Sequence, residues 1–276
     1  MTQPLVWAHR GARSVAPENT MAAAHAALGQ GAFGWELDVH LSQDGQVVVI
    51  HDHGLRRTTD VKTRSFPRRD QVVGRLTLAE LRALDAGSWF ARRDPFGTIA
   101  DGTVGNRELS AFRGELLPTL AEALAWSREA GLAVNVEIKD QLGGDDDGLV
   151  RATAKRIRES GWAGRVCVSS FRAASVSLFH EFCPEVPVGL LLDTTAMQAP
   201  VERIMGALRD LGATALHPAV RGLRPGLIRE FTSSGFVVNV YTVNTPEQLI
   251  WLAREGATGV ITDFPGRARD IYAKLG

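Results

Sequence analysis

Lysine is nearly missing from this chain: Lys62, Lys139, Lys155 and Lys274 are the only four among 31 basic residues. The imbalance reads as genome composition, but it makes a lysine inside a patterned segment conspicuous, and Lys139 is one. An excess of charge of one sign is also absent. The 31 basic and 31 acidic residues cancel, leaving no long-range field to attract nucleic acid or hold an anionic membrane. No window approaches ~18 consecutive apolar residues, which argues against a membrane-spanning helix. The opening MTQPLVWAHR has no basic stretch followed by a long apolar one, so no secretory signal is read there. Cysteine is limited to Cys167 and Cys183, without metal-ligand spacing, and both are expected to be buried thiols in a reducing cytoplasm. No repeat with a period of roughly 20–50 residues is found.

What the chain does have is 45% hydrophobic content over 276 residues, enough for one large core. Short β-branched runs alternate with helical patterns, as in a parallel sheet with crossover helices. The expected strands are Leu5–His9, Gly34–Val39, Val47–His51, Ala133–Lys139, Val166–Ser170, Val188–Leu192, Ala215–His217, Val237–Val243 and Gly259–Thr262. Helices are expected at Thr20–Leu28, at Leu120–Ala130 after an N-capping Thr119, and at Pro246–Arg254 after Thr245. Nine strands exceed a (β/α)₈ TIM barrel by one. Asp44-Gly45 between alternating apolar runs signals a two-residue type I′ hairpin. Val47–His51 therefore returns antiparallel above the rim, with Val39 facing Ile50 and Asp38 facing His51. The fold class is α/β, one barrel domain over residues 1–276. Residues 54–118 lose the helix–strand rhythm and read as an insertion between the second strand and second helix, over the barrel mouth.

Side chains alternate along a strand, so Glu36 and Asp38 share one face, opposite Trp35, Leu37 and Val39. Glu137 and Lys139 repeat the arrangement opposite Val134, Val136 and Ile138. If the apolar sets face the helices, three carboxylates and one amine enter the lumen, where unpaired charge is prohibitive. A divalent cation held by Glu36, Asp38 and Glu137 would balance them, and all-oxygen ligation suits Mg²⁺, Ca²⁺ or Mn²⁺. The alternative is a buried salt-bridge network centred on Lys139, with Arg10. His9 and His51 end their strands beside this cluster and can supply an acid and a base for breaking a phosphodiester. Arg10 offers a fork of donors to phosphate, or a partner to Glu18, and Gly11 allows close backbone approach. His217, at a strand end before Pro218, is expected to reach the mouth and is a candidate substrate contact. Asp263 is read as a ligand contact or a turn cap. The Asp145-Asp146-Asp147 run reads as a solvated loop, and His25, His40, His53 and His180 as structural or exposed.

Taken in order, His9-Arg10-Gly11, Pro17-Glu18-Asn19-Thr20, Glu36-Leu37-Asp38-Val39, His51-Asp52 and Glu137-Ile138-Lys139 resemble the motif set of the glycerophosphodiester phosphodiesterase family. The tail from Val240 to Asn244 and the run from Gly259 to Pro265 resemble it too, so the likeness spans essentially the whole chain. It implies a phospholipase-C-like barrel in which Glu36, Asp38 and Glu137 bind the ion. His9 and His51 would be the acid/base pair, and Arg10 and Lys139 would hold the phosphate. The implied substrate is a small glycerophosphodiester, cleaved to glycerol 3-phosphate and an alcohol, with no nucleic-acid partner and no stable membrane association. Two departures stand out. Tyr241 occupies a position where the family often has tryptophan, against the glycerol moiety, and the run from Pro95 to Ser110 is longer than is typical. Rival readings are a lysophospholipase D-like enzyme, using Phe66, Trp89, Phe90, Phe96 and Phe112 to line an apolar groove, and a non-catalytic sugar-phosphate-binding barrel. An unrelated metal-dependent aldolase or isomerase barrel explains Arg10 and the two histidines poorly.

Overall fold

The computed structural model describes residues 3–275 and contains nine strands. They are β1 (Leu5–Ala8), β2 (Gly34–Leu41), β3 (Val47–Val49), β4 (Ala133–Ile138), β5 (Val166–Ser170), β6 (Val188–Leu192), β7 (Ala215–Pro218), β8 (Val237–Val240) and β9 (Gly259–Thr262). Eight of them pair in parallel in the order β1-β9-β8-β7-β6-β5-β4-β2. Pairing of Trp7 with Gly34 and Ala8 with Trp35 closes the circle. The result is the expected TIM barrel.

The outward parity holds. Trp35, Leu37, Val39, Val134 and Val136 are fully buried in the barrel–helix core, and Trp35 Nε1 donates to Ser127 Oγ on the helix Leu120–Ala130. Thr20, Thr119 and Thr245 all cap their helices through the hydroxyl, which satisfies amide donors that a helix start otherwise leaves free. Asp145 does the same for Asp146–Glu159, accepting from the Gly148 amide. Among the described residues, no helix is long and apolar enough to cross a membrane.

β3 runs antiparallel to β2, with Val39 opposite Val49 and Leu41 opposite Val47. The register is one residue from the expected one because the turn is a three-residue loop. Ser42 N–H donates to the Gln46 carbonyl at 2.9 Å, and Gly45 N–H donates to the Ser42 carbonyl. Gly45 is left-handed (φ +74°), whereas Asp44 is not among the residues with positive φ; a type I′ turn needs both. The extra residue puts Ile50, not His51, beside Asp38, and the Ile50 amide donates to the Asp38 carbonyl at 2.9 Å. Gly45→Val should cost roughly 1–2 kcal/mol for forcing a side chain into that conformation. It should lower turnover through His51 while leaving cation affinity intact. Parallel titrations of turnover and cation binding check the separation.

Residues 54–118 leave and rejoin the barrel beside β3: the Val73 amide donates to the His53 carbonyl, and the Val49 amide to the Pro118 carbonyl. Between these points two satellite cores form, one around Val48, Leu55, Val73 and Leu81, the other joining Trp89, Phe90 and Phe112 to Ala16 and Ala23. The aromatics available for an apolar groove are thus largely consumed in packing: Trp89, Phe90 and Phe112 are at most 8% exposed.

Candidate active site

At the C-terminal ends of β2 and β4, Glu36, Asp38 and Glu137 come together with donor oxygens all within 4.8 Å of one another. They are 3%, 1% and 8% exposed, too buried for bulk water to balance their charge. The register places Asp38 directly beside Glu137 and Glu36 beside Asn135. Lys139 Nζ meets Asp38 Oδ1 at 2.8 Å and also pairs with Glu137. Arg10 Nε lies 3.4 Å from Asp38 Oδ2.

Burial, then the charges of Asp38 and Glu137, hold Glu36 well above the ordinary carboxylate range. Burial pushes Asp38 the same way, but Lys139 and Arg10 outweigh it and keep that carboxyl well below its usual value. Burial also raises Glu137, against the opposing pull of Lys139. Three carboxylates thus face two fixed cations. Glu36 Oε2 accepts the Arg10 amide at 2.8 Å, while Glu36 Oε1, though buried, has no hydrogen-bond partner. An all-oxygen donor set with an uncommitted buried oxygen and a charge deficit can hold a metal ion. The salt-bridge alternative accounts for Lys139 and Arg10 but leaves Glu36 Oε1 unpaired.

The loop after β1 holds its shape by unusual backbone. Arg10 (φ 54°) and Asn19 (φ 56°) are both left-handed. Asn19 grips Asp38 from two sides, donating through Nδ2 to Oδ2 at 2.7 Å and accepting the Asp38 amide on Oδ1. Gly11 allows the loop to lie against the first helix, since a Cβ there would come within 2.6 Å of Ala23 Cβ. Arg10 donates to Glu18 at 2.8 Å. Burial alone would raise Glu18, but Arg57, Arg10 and Arg13 hold it far below the usual range.

Both histidines carry a carboxylate on Nδ1. His9 meets Asp263 Oδ1 at 2.6 Å, and Asp263 Oδ2 in turn accepts from Asn244 Nδ2. His51 meets Asp52 at 2.7 Å. Arg57 clamps Asp52 through two donors and reaches on to Glu18 through two more, at 2.6–2.9 Å. Each dyad fixes its ring and leaves Nε2 for other work. Because the Ile50 amide bonds the Asp38 carbonyl, the next residue, His51, stands beside the cluster. His40 takes the structural one of its two expected readings and is buried. Its Nε2 lies 3.1 Å from the His51 carbonyl and its Nδ1 3.0 Å from Gln141 Nε2. Because Gln141 Nε2 can only donate, His40 Nε2 carries the proton and tethers the backbone of His51.

Tyr241 lines the cavity with His9, Glu36 and Glu137. Its hydroxyl donates to the Leu192 carbonyl at 3.2 Å and its ring abuts Phe171 edge-on. His217 does not join this group. It is 0% exposed, bonds Asn239 at 3.1 Å, and lines a cavity at the opposite end of the barrel. A strand only four residues long leaves its inward side chain in the interior. Asp263 does not cap the helix that follows; its carboxylate holds His9. That role follows from the register, since Ala8 pairs with Thr262 and the next residues on the two strands are His9 and Asp263. Barrel closure, which brings the first and last strands together, was the signal that could have revealed it.

Residues 9–267 match the glycerophosphoryl diester phosphodiesterase family. The chain is 33% identical over 275 residues to the glycerophosphodiester phosphodiesterase of Caldanaerobacter subterraneus, covering 99% of both chains. It is 31% identical to that of Bacillus altitudinis, covering 98% of both. The structure is similar to a putative glycerophosphoryl diester phosphodiesterase of Silicibacter pomeroyi, with a TM-score of 0.84 and 27% identity over 100% of this chain and 95% of the other. It is also similar to an Oleispira antarctica phosphodiesterase solved with the product sn-glycerol-3-phosphate, with a TM-score of 0.82 and 27% identity over 98% and 97%. The parallel barrel, the acidic cluster at its mouth and matches along the full length agree: the chain belongs to the glycerophosphoryl diester phosphodiesterase family.

Proposed function

We propose that this protein hydrolyses small glycerophosphodiesters to glycerol 3-phosphate and a free alcohol, with a divalent cation held by Glu36, Asp38 and Glu137. The observation that carries the reading is a buried carboxylate trio flanked by two histidine–carboxylate dyads and an arginine. Mg²⁺, Ca²⁺ or Mn²⁺ suits the oxygen donors; when bound, the cation supplies positive charge for phosphoryl oxygens as negative charge builds on them. Arg10 and Lys139 bind the phosphate from the protein side, and the Tyr241 ring walls the glycerol moiety.

His9 removes the proton from the attacking hydroxyl through Nε2. Burial and the neighbouring Arg10 hold its pKa below the ordinary value, against the pull of Asp263, so the ring is neutral near pH 7 and its lone pair is available. His51, steadied by Asp52 and Arg57, returns a proton to the departing alcohol oxygen. The substrate's own glycerol hydroxyl is the first nucleophile, and water then opens the resulting cyclic phosphate. Residues 54–118 serve as an insertion over the mouth of the one barrel domain and fix Asp52 through Arg57. The packed aromatics of that segment disfavour a groove for a long lipid chain.

Two outcomes follow. Asp263→Asn should lower turnover about 10²–10⁴-fold, the range for an orienting carboxylate whose loss selects the wrong imidazole tautomer, while cation affinity stays within a few-fold; calorimetry beside a rate assay checks both. Incubation with glycerophosphocholine should release glycerol 3-phosphate, chelator should stop it, and added cation should restore it. Full turnover in excess chelator would remove the cation from the reading.

A further inference from the structure

Glu18 stands between the two histidine dyads without touching either histidine. It is 4% exposed and lies on the loop that leads from Arg10 into the first helix. The backbone around it is pinned: the Asn19 amide donates to the Arg10 carbonyl, and the Thr20 hydroxyl to the Pro17 carbonyl. Three guanidinium groups converge on its carboxylate. Oε1 accepts from Arg10 Nη1 at 2.8 Å and from Arg57 Nη2 at 2.7 Å. Oε2 accepts from Arg57 Nη1 at 2.9 Å and lies 3.1 Å from Arg13 Nη2. A carboxylate offers about four acceptor sites, and here all of them are committed.

Two of the three arginines continue to a dyad. Arg57 donates through Nε and Nη2 to Asp52, the carboxylate that holds His51. Arg13 turns its other nitrogen, Nη1, to 3.6 Å from Asp263 Oδ1 and 3.5 Å from His9 Nδ1. A path of alternating acids and bases thus runs from His9 through Asp263, Arg13, Glu18, Arg57 and Asp52 to His51. Arg13 and Arg57 can only donate, so only an acceptor between them can join them, and Glu18 is that acceptor. The insertion steadies the Arg13 end. The Arg13 guanidinium lies 5.2 Å over the Phe96 ring, which meets the ring of Phe264, the neighbour of Asp263, edge-on.

Without the charge of Glu18, three cations would face one another at a largely buried point, which is costly. Arg57 would keep Asp52. Arg13 would be left with Asp263 alone, whose Oδ1 already meets His9. Glu18 therefore keeps Arg13 from competing with His9 for that oxygen.

We propose that Glu18 is a positioning residue that couples the two dyads, fixing His9 through Arg13 and Asp263 and His51 through Arg57 and Asp52, so that base and acid are set against the same substrate. The coupling rests on the acid and base roles assigned above to the two histidines. A carboxylate that merely stapled the loop would support the fold while Arg13 and Arg57 acted independently.

The test is a mutant cycle on the full chain with Mg²⁺ and glycerophosphocholine. Arg13→Met and Arg57→Met should each lower kcat by ~10-fold or more, since a misplacement of about 1 Å can cost 10²-fold. KM should change only a few-fold, because Arg10 and Lys139 still hold the phosphate. The loss in the double variant should fall short of the product of the single losses by ~5-fold or more, as for residues that share a network. In a Glu18→Gln background the same two substitutions should multiply to within ~2-fold, as independent sites do. Glu18→Asp, which keeps the charge, should recover part of the kcat lost in Glu18→Gln. Should circular dichroism show Glu18→Gln unfolded, the cycle between Arg13 and Arg57 decides by itself. Losses that multiply in the wild-type background would overturn the coupling and leave the histidine roles standing. Full turnover in His9→Ala or His51→Ala would instead remove the reading on which the coupling rests.

Discussion

Asp38→Asn should weaken divalent-cation affinity by well over 10²-fold and cut turnover to a trace even at saturating cation. Loss of partners one shell further out typically costs 10–100-fold in metal sites, and Asp38 is more central than that. It takes Lys139 on one oxygen and Asn19 and Arg10 on the other, so neutralising it also frees two cations that should meet the phosphate. Glu36→Gln and Glu137→Gln should act in the same direction. Glu36 is the informative member, because its Oε1 has no partner within the protein. The fold should survive these changes, since the cores packing β2 and β4 are built from Trp35, Leu37, Val39, Val134 and Val136 on the other face. Calorimetric titration with Mg²⁺ and Ca²⁺ beside circular dichroism separates loss of the site from loss of the fold. Cation affinity unchanged in all three variants would dissolve the metal centre.

The histidines give the other large effect. His9→Ala and His51→Ala should each lower turnover by roughly 10²–10⁴-fold, the usual cost of removing a general acid or base, while cation affinity stays within a few-fold. The two should differ in pH dependence. With His9 as the base and its pKa held low by burial and Arg10, the wild-type rate should hold below pH ~6.5, the ordinary histidine value, and decline only as His9 takes up its proton. His9→Ala should lose that limb, whereas His51→Ala should keep it. A rate profile with the same acid limb in His9→Ala as in the wild type would return His9 to a supporting role.

Much of this arrangement could be read before any coordinates, for a simple reason. Strand alternation is strictly two-residue, so the segments Trp35–Val39 and Val134–Lys139 reveal which side chains face the lumen. Asp44-Gly45 likewise announced a reversal, and β3 does return antiparallel to β2. The register slipped by one residue because loop length depends on whether Asp44 takes positive φ, and neighbouring hydrogen bonds decide that. Ser42 Oγ donates to Asp44 Oδ1 and accepts the Gln46 amide, favouring the longer loop. His217 could not be placed, because the reach of a strand-end side chain depends on how far the strand rises inside the closed barrel. The supports of the two histidines were hidden for another reason. Asp263 lies 254 residues from His9, and Gln141 lies 101 from His40, so only barrel closure brings either pair together. Arg57 sat in a segment without periodicity, where sequence gives no direction to a side chain.

One measurement bears on the central claim most directly: ³¹P NMR of glycerophosphocholine turning over with the purified protein and a divalent cation. The account predicts that the diester resonance gives way to the monoester of glycerol 3-phosphate as choline is released, that a five-membered cyclic phosphate resonance passes between them, and that nothing changes when the cation is chelated. Phosphocholine and glycerol as products would mean that the other ester bond breaks and that the site holds its substrate the opposite way round, and undiminished conversion in chelator would mean that Glu36, Asp38 and Glu137 serve no metal at all.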